Sequence, residues 1–156
     1  MKIPIVAVDQ HDFLEHRRNQ EALHWSKNTK DSPLRSILTV ELNTTELCNR
    51  TCVFCPRHDP EVFSNRNLHM TVKGAATIAK ELAANDFKGK ISLSGFGENL
   101  LNPVFPEIVQ VFRENLPEAT IECNTNGDRL TAKYARDLIS LRGLDLLYIN
   151  LYDGIE

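Results

Sequence analysis

The sequence predicts an α/β fold in which parallel strands alternate with helices. Four short runs have the composition of strands, namely residues 37–43, 90–94, 119–123 and 145–151. The last three of these runs begin close to the roughly 30-residue spacing of a βαβ unit. Helical patterns separate the runs, and this alternation favours a parallel sheet with helical crossovers.

Each helical pattern has a recognisable start. Thr71 is a suitable N-cap for the first helix, and the second is predicted to open at Pro103, because proline is favoured in a first turn. The third is predicted to follow Thr131 and to stop near Gly143. The apolar positions of the first helix recur at helical spacing and are Val72, Ala75, Ala76, Ala79, Leu82 and Ala83.

Composition limits the classes of function that the chain can serve. Its 156 residues are 42% apolar and 25% charged, which is typical of a globular domain with a buried core. The formal net charge of −3 gives no electrostatic argument for a nucleic-acid partner. No stretch is long and apolar enough to predict a membrane span. We expect a polar N-terminal segment over residues 1–33 and a core domain over residues 34–156.

The carboxyl ends of the predicted strands carry unusual loops. The first strand leads into three cysteines, and the others lead into residues 94–98, residues 124–127 and Asn150, the last continuing towards residues 152–154. Function in parallel α/β folds gathers at the rim formed by these ends. We therefore expect the four loops to lie together.

The thiols of Cys48, Cys52 and Cys55 lie within eight residues of one another. The spacing allows one loop to wrap a cubic iron–sulfur cluster, with each thiolate on a different iron. Two alternatives stay open: a zinc site completed by His58, and three buried thiols without a metal. Cys123 falls inside the third strand, where a buried thiol is expected. A chain with such cysteines is expected in the cytosol, where disulfides are rare.

Phe54 completes a pattern, Cys-x3-Cys-x-aromatic-Cys, that resembles the signature of the radical S-adenosylmethionine superfamily. A second segment is similar to the glycine–glutamate motif of that superfamily, which binds the methionine amino group of the cofactor. It consists of Gly95, Phe96, Gly97 and Glu98. The residue types suit this role, because glycines allow close approach of the backbone and a carboxylate pairs with an ammonium group.

Asn126 and Asn150 resemble polar family positions at the ends of the third and fourth strands, and Asn150 corresponds to a contact with the cofactor ribose. Asn99 departs from the family pattern, in which proline is common. The family fold is a partial TIM-like barrel that normally has six strands. The resemblance therefore implies such a barrel here with about four strands, apparently truncated after the fourth.

The resemblance implies a specific chemistry. A [4Fe–4S] cluster on the three cysteines would reductively cleave S-adenosylmethionine, and the resulting 5′-deoxyadenosyl radical would abstract hydrogen from an unidentified small-molecule or peptide substrate. A flavodoxin- or ferredoxin-type protein would donate the electron. A truncated, non-catalytic cluster-binding domain and a small zinc-binding interaction module are the alternative functions.

Overall fold

A computed structural model describes residues 37–151 of the chain. Its strands form one parallel sheet in the order β1 (Thr39–Leu42), β2 (Lys90–Leu93), β3 (Thr120–Thr125) and β4 (Leu146–Ile149). Sequential order with parallel pairing is what repeated βα crossovers produce. The open four-stranded sheet confirms the predicted fold class.

Helices connect successive strands. They are α1 (Val72–Ala84), α2 (Phe105–Asn115) and α3 (Ala132–Ser140). Two single turns of 3₁₀ helix, Pro56–His58 and Asn99–Leu101, lie in the loops that follow β1 and β2. The rim loops are therefore partly ordered by their own backbone hydrogen bonds.

Threonine side chains begin two of the helices. The Thr71 hydroxyl accepts a hydrogen bond from the Gly74 amide (3.1 Å), and the Thr131 hydroxyl accepts one from the Tyr134 amide (3.1 Å). Each contact satisfies an amide that has no partner within its helix. The predicted cap at Thr71 is thus present.

The second helix begins later than Pro103. A turn comes first, in which the Val104 amide donates to the Asn102 side chain (3.1 Å) and the Phe105 amide donates to the Asn102 carbonyl (3.1 Å). These bonds hold the chain in a turn until Phe105, and Pro106 occupies the first helical turn instead. The predicted start was therefore two residues early.

The core lies between the two central strands and the crossover helices. Its largest fully buried side chains include residues of β2, β3 and α2, namely Ile91, Leu93, Phe105, Ile108, Val109, Phe112 and Ile121. Cys123 is buried among them, as predicted, and burial raises the pKa of its thiol. This thiol therefore lies in the core of the sheet and not in the loop of the other cysteines.

Within residues 37–151, no helix has the length and apolar character needed to cross a membrane. The polar segment expected over residues 1–33 lies outside the described residues. The same is true of residues 152–154, towards which Asn150 leads.

Candidate functional site

Four loops meet at the carboxyl rim of the sheet. We call residues 48–55 the cysteine loop and residues 94–98 the glycine loop. The end of β4 is tied to the end of β3, because the Asn150 amide donates to the Thr125 carbonyl (2.8 Å). Parallel pairing brings all these chain ends to the same side of the sheet.

The cysteine loop carries three free, partly exposed thiols. The Cys55 amide donates to the Cys52 carbonyl (2.9 Å), and the His58 amide donates to the Cys55 carbonyl (2.9 Å). These bonds wind the chain from Cys52 into the 3₁₀ helix that follows. The Phe54 side chain stands 64% exposed at the tip of the loop.

Asn65 fixes the start of the cysteine loop. Its side chain accepts a hydrogen bond from the Cys48 amide (2.9 Å) and donates one to the Cys48 carbonyl (3.0 Å). Partial burial raises the pKa of the Cys48 thiol, a backbone hydrogen bond opposes that shift, and the charges of Glu98 and Arg57 act in opposite directions. No periodicity or motif in the sequence indicated this role for Asn65.

The glycine loop packs directly on the chain that leaves β1. Gly95 has a positive φ of 126°, which favours glycine. At Gly97 a Cβ atom would lie 1.8 Å from the Thr45 carbonyl oxygen, so no side chain fits. The Gly97 amide donates to the Asn43 side chain (3.2 Å), and the Glu98 amide donates to the Leu47 carbonyl (2.9 Å). Both glycines are therefore required by contact with the approach to the cysteine loop.

The Glu98 carboxylate is buried between β2 and β3. Its Oε1 accepts from the Leu100 amide (3.1 Å) and the Thr125 hydroxyl (2.6 Å), and its Oε2 accepts from the Asn126 amide (2.8 Å). Only 2% of the residue is exposed. Three donors satisfy the buried charge, so Glu98 joins the glycine loop to the end of β3.

A polar network joins the end of β3 to the cysteine loop. The side-chain Nδ2 of Asn126 donates to Asn49 Oδ1 (3.0 Å). The side-chain Nδ2 of Asn49 in turn donates to the Asp128 carboxylate (2.7 Å). Arg50 donates twice to the Asp128 carboxylate, from Nε (2.7 Å) and from Nη2 (2.5 Å). The hydrogen bond from Arg50 lowers the pKa of Asp128. Such a two-point pair fixes geometry as well as charge.

Arg57 joins the cysteine and glycine loops from the inside. Its guanidinium donates to the carbonyls of Phe96 and Glu46 and to Asn65 Oδ1 (3.0 Å). It also lies 4.7 Å from the centre of the Phe63 ring, which packs edge-on against Phe96. The sequence motif that includes Phe96 predicted the glycine loop. It did not predict the hydrogen bond between this loop and Arg57.

Asn99 is buried directly after the glycine loop, in the 3₁₀ helix that follows β2. Its side chain donates to the Leu93 carbonyl (2.7 Å) and the Asn124 carbonyl (3.1 Å), and it accepts from the Thr44 hydroxyl (2.6 Å). One amide thus connects the chain ends of the first three strands. Proline has no side-chain donor for these contacts, which gives the departure from the family pattern a structural reason.

Three cysteine thiols in one loop are the type of donor that ligates iron–sulfur clusters. An open cleft of about 450 Å³ borders the cysteine loop and is lined by Leu47, Cys48, Asn49, Leu101, Asp128 and Arg129. In the part of the chain that the structure describes, no three His, Cys, Asp or Glu side chains are arranged to hold one metal ion.

Comparison with known proteins identifies relatives of this site. The sequence profile of the Radical SAM superfamily matches residues 42–154. The chain is 33% identical over 123 residues to S-adenosyl-L-methionine-dependent 2-deoxy-scyllo-inosamine dehydrogenase of Niallia circulans. It is 31% identical over 122 residues to GTP 3′,8-cyclase of Klebsiella pneumoniae. These matches cover 79% and 78% of this chain but 47% and 35% of the relatives.

Solved structures show the same similarity. The crystal structure of BtrN in complex with AdoMet and 2-DOIA superposes with a TM-score of 0.69 and 29% identity, covering 77% of this chain and 48% of BtrN. An open conformation of BtrN gives a TM-score of 0.64. Radical SAM proteins are enzymes that use a [4Fe–4S] cluster and S-adenosylmethionine, so the predicted family, fold class and cofactors are confirmed at the level of the family.

Proposed function

This chain belongs to the Radical SAM superfamily, and on that premise we propose that Cys48, Cys52 and Cys55 bind a [4Fe–4S] cluster and that the rim beside them binds S-adenosylmethionine. The observation that carries the proposal is the position of the three thiols. They share one partly exposed loop at the carboxyl rim, and polar side chains from other loops hold that loop in place. Three ligands leave one iron of a cluster open to a cofactor.

The glycine loop is the proposed site for the methionine end of the cofactor. Glu98 Oε2 accepts one hydrogen bond within the described part of the chain, and a carboxylate oxygen can accept two. An ammonium group can therefore be held there, beside the backbone of Gly95, Phe96 and Gly97. This arrangement would bind the cofactor through charge and hydrogen bonds together.

The remaining predicted contacts lie around the same rim. Phe54 in the cysteine loop and Phe96 in the glycine loop are aromatic side chains that are exposed. Asn126 and Asn150 follow β3 and β4, where we propose contacts with the nucleoside part of the cofactor. Asn126 already donates to Asn49, so its proposed role includes holding the cysteine loop.

Cys48, Cys52 and Cys55 would hold the cluster, which would supply the electron for reductive cleavage of S-adenosylmethionine to methionine and a 5′-deoxyadenosyl radical. The residues of this chain bind and orient the cofactor and limit the access of water. We propose that a flavodoxin- or ferredoxin-type protein donates the electron, in the cytosol, and that the radical abstracts hydrogen from a small molecule or peptide. The chain spans 47% and 35% of the length of these two relatives. Catalytic cleavage of the cofactor by this chain is therefore itself a proposal.

Anaerobic reconstitution with iron and sulfide tests the proposal. We expect about four irons per chain and the broad visible absorbance of a cluster. Cys52→Ala should lose both, because it removes one of three ligands. Cys123→Ala is the matched control and should keep both, because Cys123 is buried in β3.

The loaded chain is then reduced with dithionite in the presence of S-adenosylmethionine, and 5′-deoxyadenosine is measured. Formation of this product supports the enzymatic proposal. A loaded chain that forms none would be a cluster-binding domain without turnover. One tightly held zinc per chain after native purification, with no iron uptake, would overturn the cluster assignment itself.

A further inference from the structure

Arg57 is a buried cation two residues after Cys55. Only 4% of the residue is exposed, and it lies in the 3₁₀ helix that continues the cysteine loop. Burying a charge is unfavourable unless hydrogen bonds and a countercharge compensate for the lost water. The identity of its partners is therefore informative.

The partners of Arg57 are all neutral. The guanidinium donates to two backbone carbonyls and one side-chain amide and lies over an aromatic ring. Three other arginines each pair with a carboxylate, namely Arg50 with Asp128, Arg66 with Glu46 and Arg113 with Asp145. No carboxylate within residues 37–151 forms an ion pair with Arg57. Its hydrogen bonds are satisfied, but no carboxylate among these residues lies close enough to form an ion pair with it.

The position of Arg57 connects both parts of the proposed cofactor site. One nitrogen donates to the backbone carbonyl of Phe96 in the glycine loop. Another donates to the backbone carbonyl of Glu46, just before the cysteine loop. The third contact is to Asn65 Oδ1, the same oxygen that accepts from the Cys48 amide. Arg57 is thus linked to the backbone of one proposed ligand through a single shared atom.

We propose that Arg57 is a positioning residue that holds the glycine loop on the cysteine loop and supplies the buried positive charge that balances the cluster. The inference rests on the proposed function. Three thiolates and one-electron reduction both add negative charge at this place, and the electron comes from an external reductant. A nearby buried cation stabilises the more negative, reduced state, and net charge is one determinant of cluster potential.

A redox titration monitored by electron paramagnetic resonance tests the charge. The reconstituted chain is titrated with dithionite and mediators, alongside Arg57→Gln, Arg57→Lys and Arg66→Gln. Arg57→Gln removes the charge, and we expect at least a tenfold loss in the equilibrium constant for one-electron reduction, about 59 mV towards more negative potential. Arg57→Lys keeps the charge and should titrate with the parent chain. Arg66→Gln removes an exposed charge nearby and should do the same.

The outcomes separate this inference from the proposed function. If the parent chain takes up no cluster, the proposed function fails before any titration. If the parent is loaded and Arg57→Gln titrates with it and with Arg66→Gln, only the role of Arg57 is overturned. If Arg57→Gln holds no cluster, Arg57→Lys decides: a parental potential supports the inference, and a shift of tenfold or more overturns it.

Discussion

Glu98 carries a negative charge into the interior of the rim, where three donors from two strand ends surround it. The residue therefore has two tasks that the motif alone does not distinguish. It holds the glycine loop to the end of β3, and in our proposal its remaining acceptor site receives the methionine ammonium. The first task is a property of the chain without cofactor, so the two can be measured separately.

Replacing Glu98 with Gln should weaken both properties. A glutamine offers one acceptor oxygen, so its amide group must face either the Asn126 amide or the Leu100 and Thr125 donors. A buried donor left without an acceptor costs about 1–3 kcal/mol, which urea unfolding of the cluster-free chain will measure. The affinity for S-adenosylmethionine should fall at least tenfold, because a charge-assisted contact is worth about 1.5–3 kcal/mol.

Glu41→Gln provides the matched control, because Glu41 is an exposed carboxylate on β1. Its variant should unfold with the parent chain and bind the cofactor equally well. Cluster content should stay the same in both variants. Equal stability and equal affinity for Glu98→Gln and Glu41→Gln would remove Glu98 from the site.

At the scale of elements, the glycine loop packs tightly against the chain segment that follows β1. The contact is close enough that the Thr45 carbonyl occupies the space in which a side chain of residue 97 would lie. At position 97, glycine is therefore needed for the packing of two loops, independently of any role in cofactor binding. Gly74, by contrast, lies in the first turn of α1, where a Cβ atom would make only an ordinary contact with Thr71 (3.4 Å).

These two glycines should respond in opposite ways to alanine. Gly97→Ala forces the loops apart, and we expect a loss of about 1–3 kcal/mol in the free energy of unfolding, as for overpacking. Gly74→Ala should gain about 0.5–1 kcal/mol, because alanine is the better helix former. Urea unfolding of both variants measures the difference. A Gly97→Ala chain as stable as the parent would contradict the close packing seen here.

The elements were predictable from sequence because their signals are local. Thr71 lies next to the helix that it caps, and the apolar spacing of α1 is visible within thirteen residues. The motif residues, including the three cysteines, could be predicted to lie in the loops at the carboxyl ends of the strands, and their roles as ligands and contacts stay predictions. Asn65, Asn99 and Asp128 were not predictable, because each acts across 17 or more residues of sequence through side-chain hydrogen bonds. No periodicity or spacing records such contacts, and only the folded chain brings the partners together.

At the scale of the whole described region, β4 is an edge of the sheet. Leu146 and Ile149 are 43% and 47% exposed, and Leu151 follows them at the surface. An exposed apolar edge strand can pair with another chain or with further chain. The sheet is therefore suited to extension on the β4 side.

We expect the 156-residue chain to self-associate through this edge. Leu146→Lys places a charge on the strand and should lower the associated fraction, measured by size-exclusion chromatography with light scattering under anaerobic conditions. Val62→Lys is the control, because Val62 is an exposed apolar residue in a loop far in sequence from β4. A parent chain that elutes as a stable monomer, or a Val62→Lys chain that dissociates equally, would contradict the role of the β4 edge.

The anchoring of the cysteine loop has a consequence for how metal enters the protein. Asn65 fixes the loop at Cys48, and Arg57 fixes it just beyond Cys55. Both anchors are contacts within the protein, so they would offset the conformational entropy of closing the loop without help from a metal. In small zinc domains, the free energy of metal binding is also the free energy of folding. With both anchors made by the protein itself, we expect the chain to keep its fold when the proposed cluster is removed.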